Sequence, residues 1–260
     1  MASTICIGRV VIINKLILGD CLEKMKDISD KSIDMILTDL PYGITNNYWD
    51  SIINLEFMWN IFRRVLKESG VIALTASQPF TSMLVMSNKK MFKHEWIWQK
   101  NKAGNFLNTV REPFKEHESV LIFGDKKWTY NPQLQKRADS GYARMKTPLK
   151  SCTTPSSNYS VLESRIVELK KERLPSSVQK HNIVVGLHPN QKPVTLFEYL
   201  IKTYTNENDL VLDCCAGSGT TAIACINTNR NYICIEKDEK YFEIMKKRVS
   251  DHNKQTRLIS

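Results

Sequence analysis

From residue 209 to residue 236 the chain reads DLVLDCCAGSGTTAIACINTNRNYICIE, and few architectures accept such a run. Leu210 to Leu212 is a short, wholly apolar strand that ends in Asp213. A loop containing Gly217 and Gly219 follows and leads at once into helix-period residues Gly219 to Asn227. Tyr232 to Ile235 is a second apolar strand, and it ends in Glu236. Strands that are apolar on both faces and joined through a helix belong to a parallel sheet covered on both sides. A tight turn followed by a surface glutamate would explain the loop and the acid separately. The full order of strand, glycine loop, helix, strand and acid explains them together, because it brings bare backbone and two carboxylates to the carboxyl edge of a sheet, where such folds bind ligands. The candidate binding residues are Asp213, Ala216, Gly217, Ser218, Gly219, Thr220 and Glu236.

The chemistry of the loop narrows the ligand. A phosphate-binding loop needs GxxxxGK[ST] and a dinucleotide loop needs GxGxxG, and neither is present. Asp213 would repel a pyrophosphate but suits a ligand bearing an ammonium or sulfonium, so S-adenosylmethionine fits better than a nucleotide. Glu236 stands where an acid accepts from both hydroxyls of a ribose.

Elsewhere the same alternation continues. Strands are expected at Lys15 to Leu18, Ile33 to Leu37, Val71 to Thr75, Glu95 to Trp98 and Ser119 to Phe123. Helices are expected at Leu55 to Lys67, Pro79 to Asn88, Leu162 to Lys171, Val194 to Thr203 and Glu239 to Val249. The result is an α/β fold with a mostly parallel, seven-stranded sheet. About Lys126 to His181 the alternation breaks into Ser, Thr and Pro-rich sequence and one charged helix, which reads as an insertion. Charge marks the same region. Lys and Arg against Asp and Glu number 8 and 9 over residues 1–85, 19 and 9 over 86–185, and 10 and 9 over 186–260. The whole excess of +10 lies in the middle, as expected of a surface for a polyanion such as nucleic acid. The candidates for binding phosphate are Lys126, Lys127, Lys136, Arg137, Arg144 and Lys146, with Tyr130 and Tyr142 interleaved. Seven cysteines with no CxxC pair read as reduced core residues, with no metal site expected. No apolar stretch is long enough to span a membrane and the first residues lack a secretory layout, so a cytoplasmic location is expected.

One further stretch, TDLPYG at residues 38 to 43, ends the apolar run from Ile33. Pro41 presets its own backbone and restricts Leu40, so a strand-to-loop corner with a solvated Asp39 would account for it.

Taken together, LILGDCLEKM (16–25), DLPYG (39–43), KEHESVLIF (115–123), HPNQKP (188–193) and LDCCAGSGTT (212–221) resemble the amino-methylating DNA methyltransferases, in the order of that family's beta group. The likeness covers nearly the whole chain. Leu40 departs from the commonest pattern, which has a proline there, and Cys214-Cys215 departs from a Pro-Phe-like pair. The resemblance implies a Rossmann-like S-adenosylmethionine-dependent fold with circularly permuted motif order. Residues 1–125 would be the catalytic half, 126–185 an inserted target-recognition region and 186–260 the cofactor-binding half. It implies that Asp39, Leu40, Pro41 and Tyr42 act on a base flipped out of double-stranded DNA: Asp39 and a backbone carbonyl accept the N–H bonds of the amine, and Tyr42 stacks on the ring. It also implies that Asp20, beside Cys21, accepts from the adenine amino group of the donor, and that Lys192 in QKP belongs to the donor pocket. Asp20 alone would more often be a helix cap. Trp49 is either a DNA-touching lid residue or a core anchor. The expected reaction is site-specific methylation of adenine, with cytosine N4 as the alternative. RNA or protein-glutamine methylation and a non-catalytic DNA-binding role fit the basic insertion or the intact motifs less well. The resemblance admits a homodimer, and a bacterial, phage or viral setting.

Overall fold

The computed structural model describes residues 14–42, 53–136, 172–184, 186 and 191–259. Two compact units are present, Met1–Asn131 with Ser177–Ser260, and Pro132–Ser176. The strands in chain order are β1 (Asn14–Leu18), β2 (Ile33–Asp39), β3 (Leu66–Ala76), β4 (Phe92–Gln99), β5 (His117–Gly124), β6 (Gln135–Lys136), β7 (Glu172–Arg173), β8 (Val178–Lys180), β9 (Leu210–Asp213) and β10 (Asn231–Glu236). The described helices are α1 (Cys21–Lys24), α2 (Leu55–Val65), α3 (Phe80–Ser87), α4 (Val194–Tyr204), α5 (Thr220–Asn227) and α6 (Glu239–Ile259).

In the first unit one sheet runs in the order β1-β10-β9-β2-β3-β5-β4-β8. All seven expected strands form, and the sheet is mixed, because β5 lies antiparallel to both β3 and β4. An eighth strand, β8, extends the β4 edge in parallel. It has no apolar period, since Gln179 is buried while Val178 is 42% exposed. In the second unit β6 and β7 pair antiparallel. The expected helix Leu162 to Lys171 lies outside the described residues.

Period-two alternation sends each central strand to two cores. Ile36 of β2, Ile72 and Leu74 of β3 and Leu121 and Phe123 of β5 pack with α1, α2 and α3. Met35 and Leu37, Val71 and Ala73, and Val120 and Ile122 pack on the other face with α4, α5 and α6. Both faces are therefore covered, as a parallel core requires. Helix α2 starts where the Asn54 side chain accepts from the Phe57 N–H at 3.0 Å. It ends at Val65, before the expected Lys67, because Leu66 pairs with Ile33 and the Lys67 ammonium reaches Asp34 at 2.7 Å across β2 and β3.

The permuted order closes where β1 pairs in parallel with β10. From β9 the chain passes through α5 to β10 on one side, and from β2 through α2 to β3 on the other. The boundary between β9 and β2 is thus a topological switch point, and the carboxyl ends of five parallel strands meet around it.

Candidate functional site

A cavity of about 780 Å³ opens at this switch point. Its walls include Asp20 and Cys21 after β1, Asp39 to Tyr42 after β2, Asp213 to Ser218 and Thr220 around β9, and Glu236 at the end of β10. The parallel register brings them together. Leu18 is level with Glu236, and Asp39 is level with Thr75 at the end of β3.

On the β9 side the acids are tied to the glycine loop. Glu236 accepts from the Gly217 N–H at 2.7 Å and the Asp238 N–H at 2.8 Å. Burial pushes its carboxyl above the usual range, against the pull of those backbone N–H groups. Asp213 accepts from the Cys215 N–H at 3.1 Å and from the Thr221 hydroxyl. Burial raises its pKa to about 6, with the Thr221 hydrogen bond acting the other way. Gly219 is the one expected donor-binding residue that does not line the cavity. It is required for another reason: φ is +81°, and a Cβ would lie 2.7 Å from Cγ of Met245. Asp20 does cap α1, accepting from the Leu22 N–H at 2.9 Å, and it also faces the cavity.

On the β2 side Asp39 is fully engaged. The Tyr42 hydroxyl donates to its Oδ1 at 2.7 Å, the Thr75 hydroxyl donates to the same oxygen, and the Lys192 ammonium sits 2.6 Å from Oδ2. The Tyr42 ring packs on Phe80 with centroids 5.3 Å apart. Burial pushes the Tyr42 hydroxyl well up, and the Asp39 charge adds to this. Leu40 is 2% exposed, holding the corner into the core. Lys192 thus reaches from the segment before α4 to Asp39, and its ammonium is also 3.3 Å from Glu118 Oε2. Glu118 in turn pairs with Lys100 at 2.5 Å. Burial alone would lower the pKa of Lys192, but Asp39 and Glu118 outweigh it and raise it. Burial likewise opposes the Glu118 charge, yet Lys192 and Lys100 hold that carboxyl below its usual range.

Sequence reasoning missed Thr75, Lys100 and Glu118. Glu118 stands inside the KEHESVLIF segment, where the motif alone gives it no role. Thr75 and Lys100 become visible only once strand register is known. Of the residues expected to bind DNA, Lys126, Lys127 and Lys136 are exposed, whereas Trp49, Arg137, Arg144 and Lys146 lie outside the described residues.

Residues 33–247 match the profile of the DNA methylase family. The chain belongs to that family. Among relatives, the methylase is 28% identical over 249 residues to the type II methyltransferase M.HpaI of Haemophilus parainfluenzae, covering 90% of this chain and 74% of the relative. It is 24% identical over 241 residues to the DNA adenine methyltransferase YhdJ of Escherichia coli K12, covering 88% and 80%. Among solved structures it resembles the M1.HpyAVI–SAM complex, with TM-score 0.61, 26% identity, and 91% of this chain and 100% of that chain covered. It shares its fold with the cytosine-N4-specific PvuII DNA methyltransferase, with TM-score 0.61, 16% identity, and 92% and 91% covered. Among its described residues the methylase has no helix long and apolar enough to cross a membrane.

Proposed function

We propose that the chain is a site-specific DNA adenine methyltransferase that uses S-adenosylmethionine as donor. The observation that carries this reading is a single cavity shared by the acidic glycine-loop half and the Asp39 to Tyr42 corner. The residues of the first half fit S-adenosylmethionine. Glu236 is positioned to accept ribose hydroxyls, Asp20 to accept an adenine amine, Asp213 suits positive charge, and the absence of side chain at Gly217 lets a ligand approach the backbone. When bound, the donor supplies an electrophilic methyl group on sulfur.

Every other role falls to the chain itself. An exocyclic amine is a poor nucleophile because its lone pair is delocalised into the ring. Asp39 and the Leu40 carbonyl accept its two N–H bonds, drawing the nitrogen out of plane, while Pro41 holds the corner. A carboxylate with a reference pKa near 3.9 is too weak to remove the proton first, so Asp39 stabilises charge as it develops. For Asp39 to accept from the amine, the Lys192 ammonium passes to Glu118, 3.3 Å away. Tyr42 offers a ring to the extruded base in place of its former stacking. The basic middle segment, including Lys126, Lys127, Lys136, Arg137 and Arg144, carries phosphate binding and target selection.

Adenine is favoured over cytosine because the motif opens with Asp39 and because a relative covering most of the chain is named a DNA adenine methyltransferase. A homodimer in the cytoplasm of a bacterial or phage-infected cell suits this reading. The test is transfer of labelled methyl from S-adenosylmethionine to duplex DNA by the full chain. Label is expected in DNA; label only in RNA or protein, or none, would overturn the proposal.

A further inference from the structure

The strands that shape the cavity also bring Cys21 to two thiols that are neighbours in sequence, Cys214 and Cys215. Cys21 begins α1 directly after the Asp20 cap, and Cys214 and Cys215 follow Asp213 at the end of β9. Their sulfur atoms all lie within 4.8 Å of one another, and all three residues line the cavity. Cys21 and Cys214 are buried, whereas Cys215 is partly open to solvent, so the group has an access path. Cys21 and Cys214 belong to the apolar core that also holds Leu40, and Cys215 packs against that core. Three thiols in one place offer sulfur ligands, which favour a soft cation over a hard one.

A zinc-class ion binds thiolates at about 2.3 Å in a tetrahedron, which sets neighbouring sulfurs about 3.8 Å apart. The three thiols need to close by no more than about 1 Å to reach that spacing. Each releases its proton to solvent on binding, and the cavity side leaves the fourth position to water. We propose that Cys21, Cys214 and Cys215 form a three-thiolate site for a soft divalent cation of the zinc class, and that its occupation excludes the methyl donor. Exclusion is steric, because the three thiols line the same cavity as Asp20 and Gly217. This coupling rests on the cavity being the donor site; metal binding itself does not.

The experiment titrates the full reduced chain with Cd²⁺, following the ultraviolet thiolate-to-cadmium charge-transfer band and measuring S-adenosylmethionine affinity in parallel. One equivalent should saturate the band. Cys21→Ser and Cys215→Ser should each weaken Cd²⁺ binding by about ten-fold or more, since removing a direct ligand costs at least as much as removing an outer-shell partner. Cys6→Ser and Cys152→Ser should leave it unchanged. In the unmodified chain, where folding is not in question, the apparent donor Kd should rise in proportion to free Cd²⁺. No band, or a band that survives in both Cys21→Ser and Cys215→Ser, overturns the site. Independent binding of Cd²⁺ and donor overturns the coupling. A chain that takes up Cd²⁺ through these thiols but never binds the donor keeps the metal site and defeats the donor reading instead.

Discussion

Replacing Asp39 with Asn keeps the side chain's shape and one carbonyl acceptor but removes the charge that faces the Lys192 ammonium. That ammonium belongs to a side chain only 6% exposed, 2.6 Å from Asp39 and 3.3 Å from Glu118. Stranding one partner of a buried pair costs about 3–5 kcal/mol when nothing else answers it. Here Glu118 remains and the Asp39 side chain keeps 22% exposure, so the expected cost is lower, about 2 kcal/mol. At about 2–4 °C per kcal/mol for a chain of this size, Tm should fall by about 4–8 °C. Lys192→Met removes the partner of Asp39 Oδ2 and of Glu118 Oε2, but each carboxylate keeps its other oxygen engaged. Asp39 keeps the Tyr42 and Thr75 donors, and Glu118 keeps Lys100 at 2.5 Å. The double variant Asp39→Asn/Lys192→Met should therefore recover most of the stability, with a coupling of about 1–2 kcal/mol in the cycle. Methyl transfer should not recover with it. Both Asn-containing proteins should stay about 10²–10³-fold down in single-turnover rate, because in the proposed mechanism the missing carboxylate acts on the target amine. Thermal unfolding of the four proteins and single-turnover transfer to duplex DNA measure the two effects separately. Strictly additive Tm changes would refute the ion-pair reasoning, and a double variant that regains transfer would refute the role given to Asp39.

Three further outcomes are expected. Glu236→Ala should weaken S-adenosylmethionine binding by about 1.5–3 kcal/mol in calorimetry, the worth of one or two charge-assisted hydrogen bonds, with DNA affinity nearly unchanged. Normal donor binding would reduce the glycine-loop half to a structural turn. Asp213 holds its proton to about pH 6 in the folded chain, against 3.8 for the free side chain. Its contribution to stability is therefore present at low pH and disappears as pH rises from about 4 to 6, and denaturant unfolding should show that Asp213→Asn is spared a decline on the order of 3 kcal/mol. A parallel decline in wild type and variant would assign it to other groups. Neutralising Lys126, Lys127, Lys136 and Arg137 together should flatten the dependence of DNA affinity on salt by about 0.9 log-log units for each phosphate that is no longer neutralised. An unchanged slope would move the DNA surface elsewhere, first to the lysines of residues 89–102.

How much of this could be read from the sequence depended on whether a feature was local. The βαβ unit from Leu210 to Glu236 was legible because its strands are continuously apolar and its loop residues are small, and those local properties decide a parallel core. The end of α2 was less so. Arg63, Arg64, Leu66 and Lys67 suit a helix, and only tertiary pairing of Leu66 with Ile33 and Lys67 with Asp34 turns the chain into β3. Strand β8 was invisible, having neither alternation nor an apolar run. Asp213 and Glu236 stood out because strand ends in such sheets face ligands, and Asp39 and Tyr42 through the resemblance carried by DLPYG. The Asp39–Lys192–Glu118–Lys100 chain did not, because it joins the ends of β2, β4 and β5 to the segment before α4. No sequence period carries that information. The Cys21, Cys214 and Cys215 group was hidden for the same reason, since Cys21 is brought to the neighbouring Cys214 and Cys215 only by the parallel pairing of β1 with β10 and of β10 with β9.

The most direct test of the central claim is the identity of the methylated base. Duplex DNA incubated with the full chain and methyl-labelled S-adenosylmethionine is digested to nucleosides, which are separated and identified by mass. The label should appear in N6-methyladenine, and the Asp39→Asn protein should yield little of it under the same conditions. Label in N4-methylcytosine would contradict the assignment of the target, and unlabelled DNA would contradict the proposed activity itself.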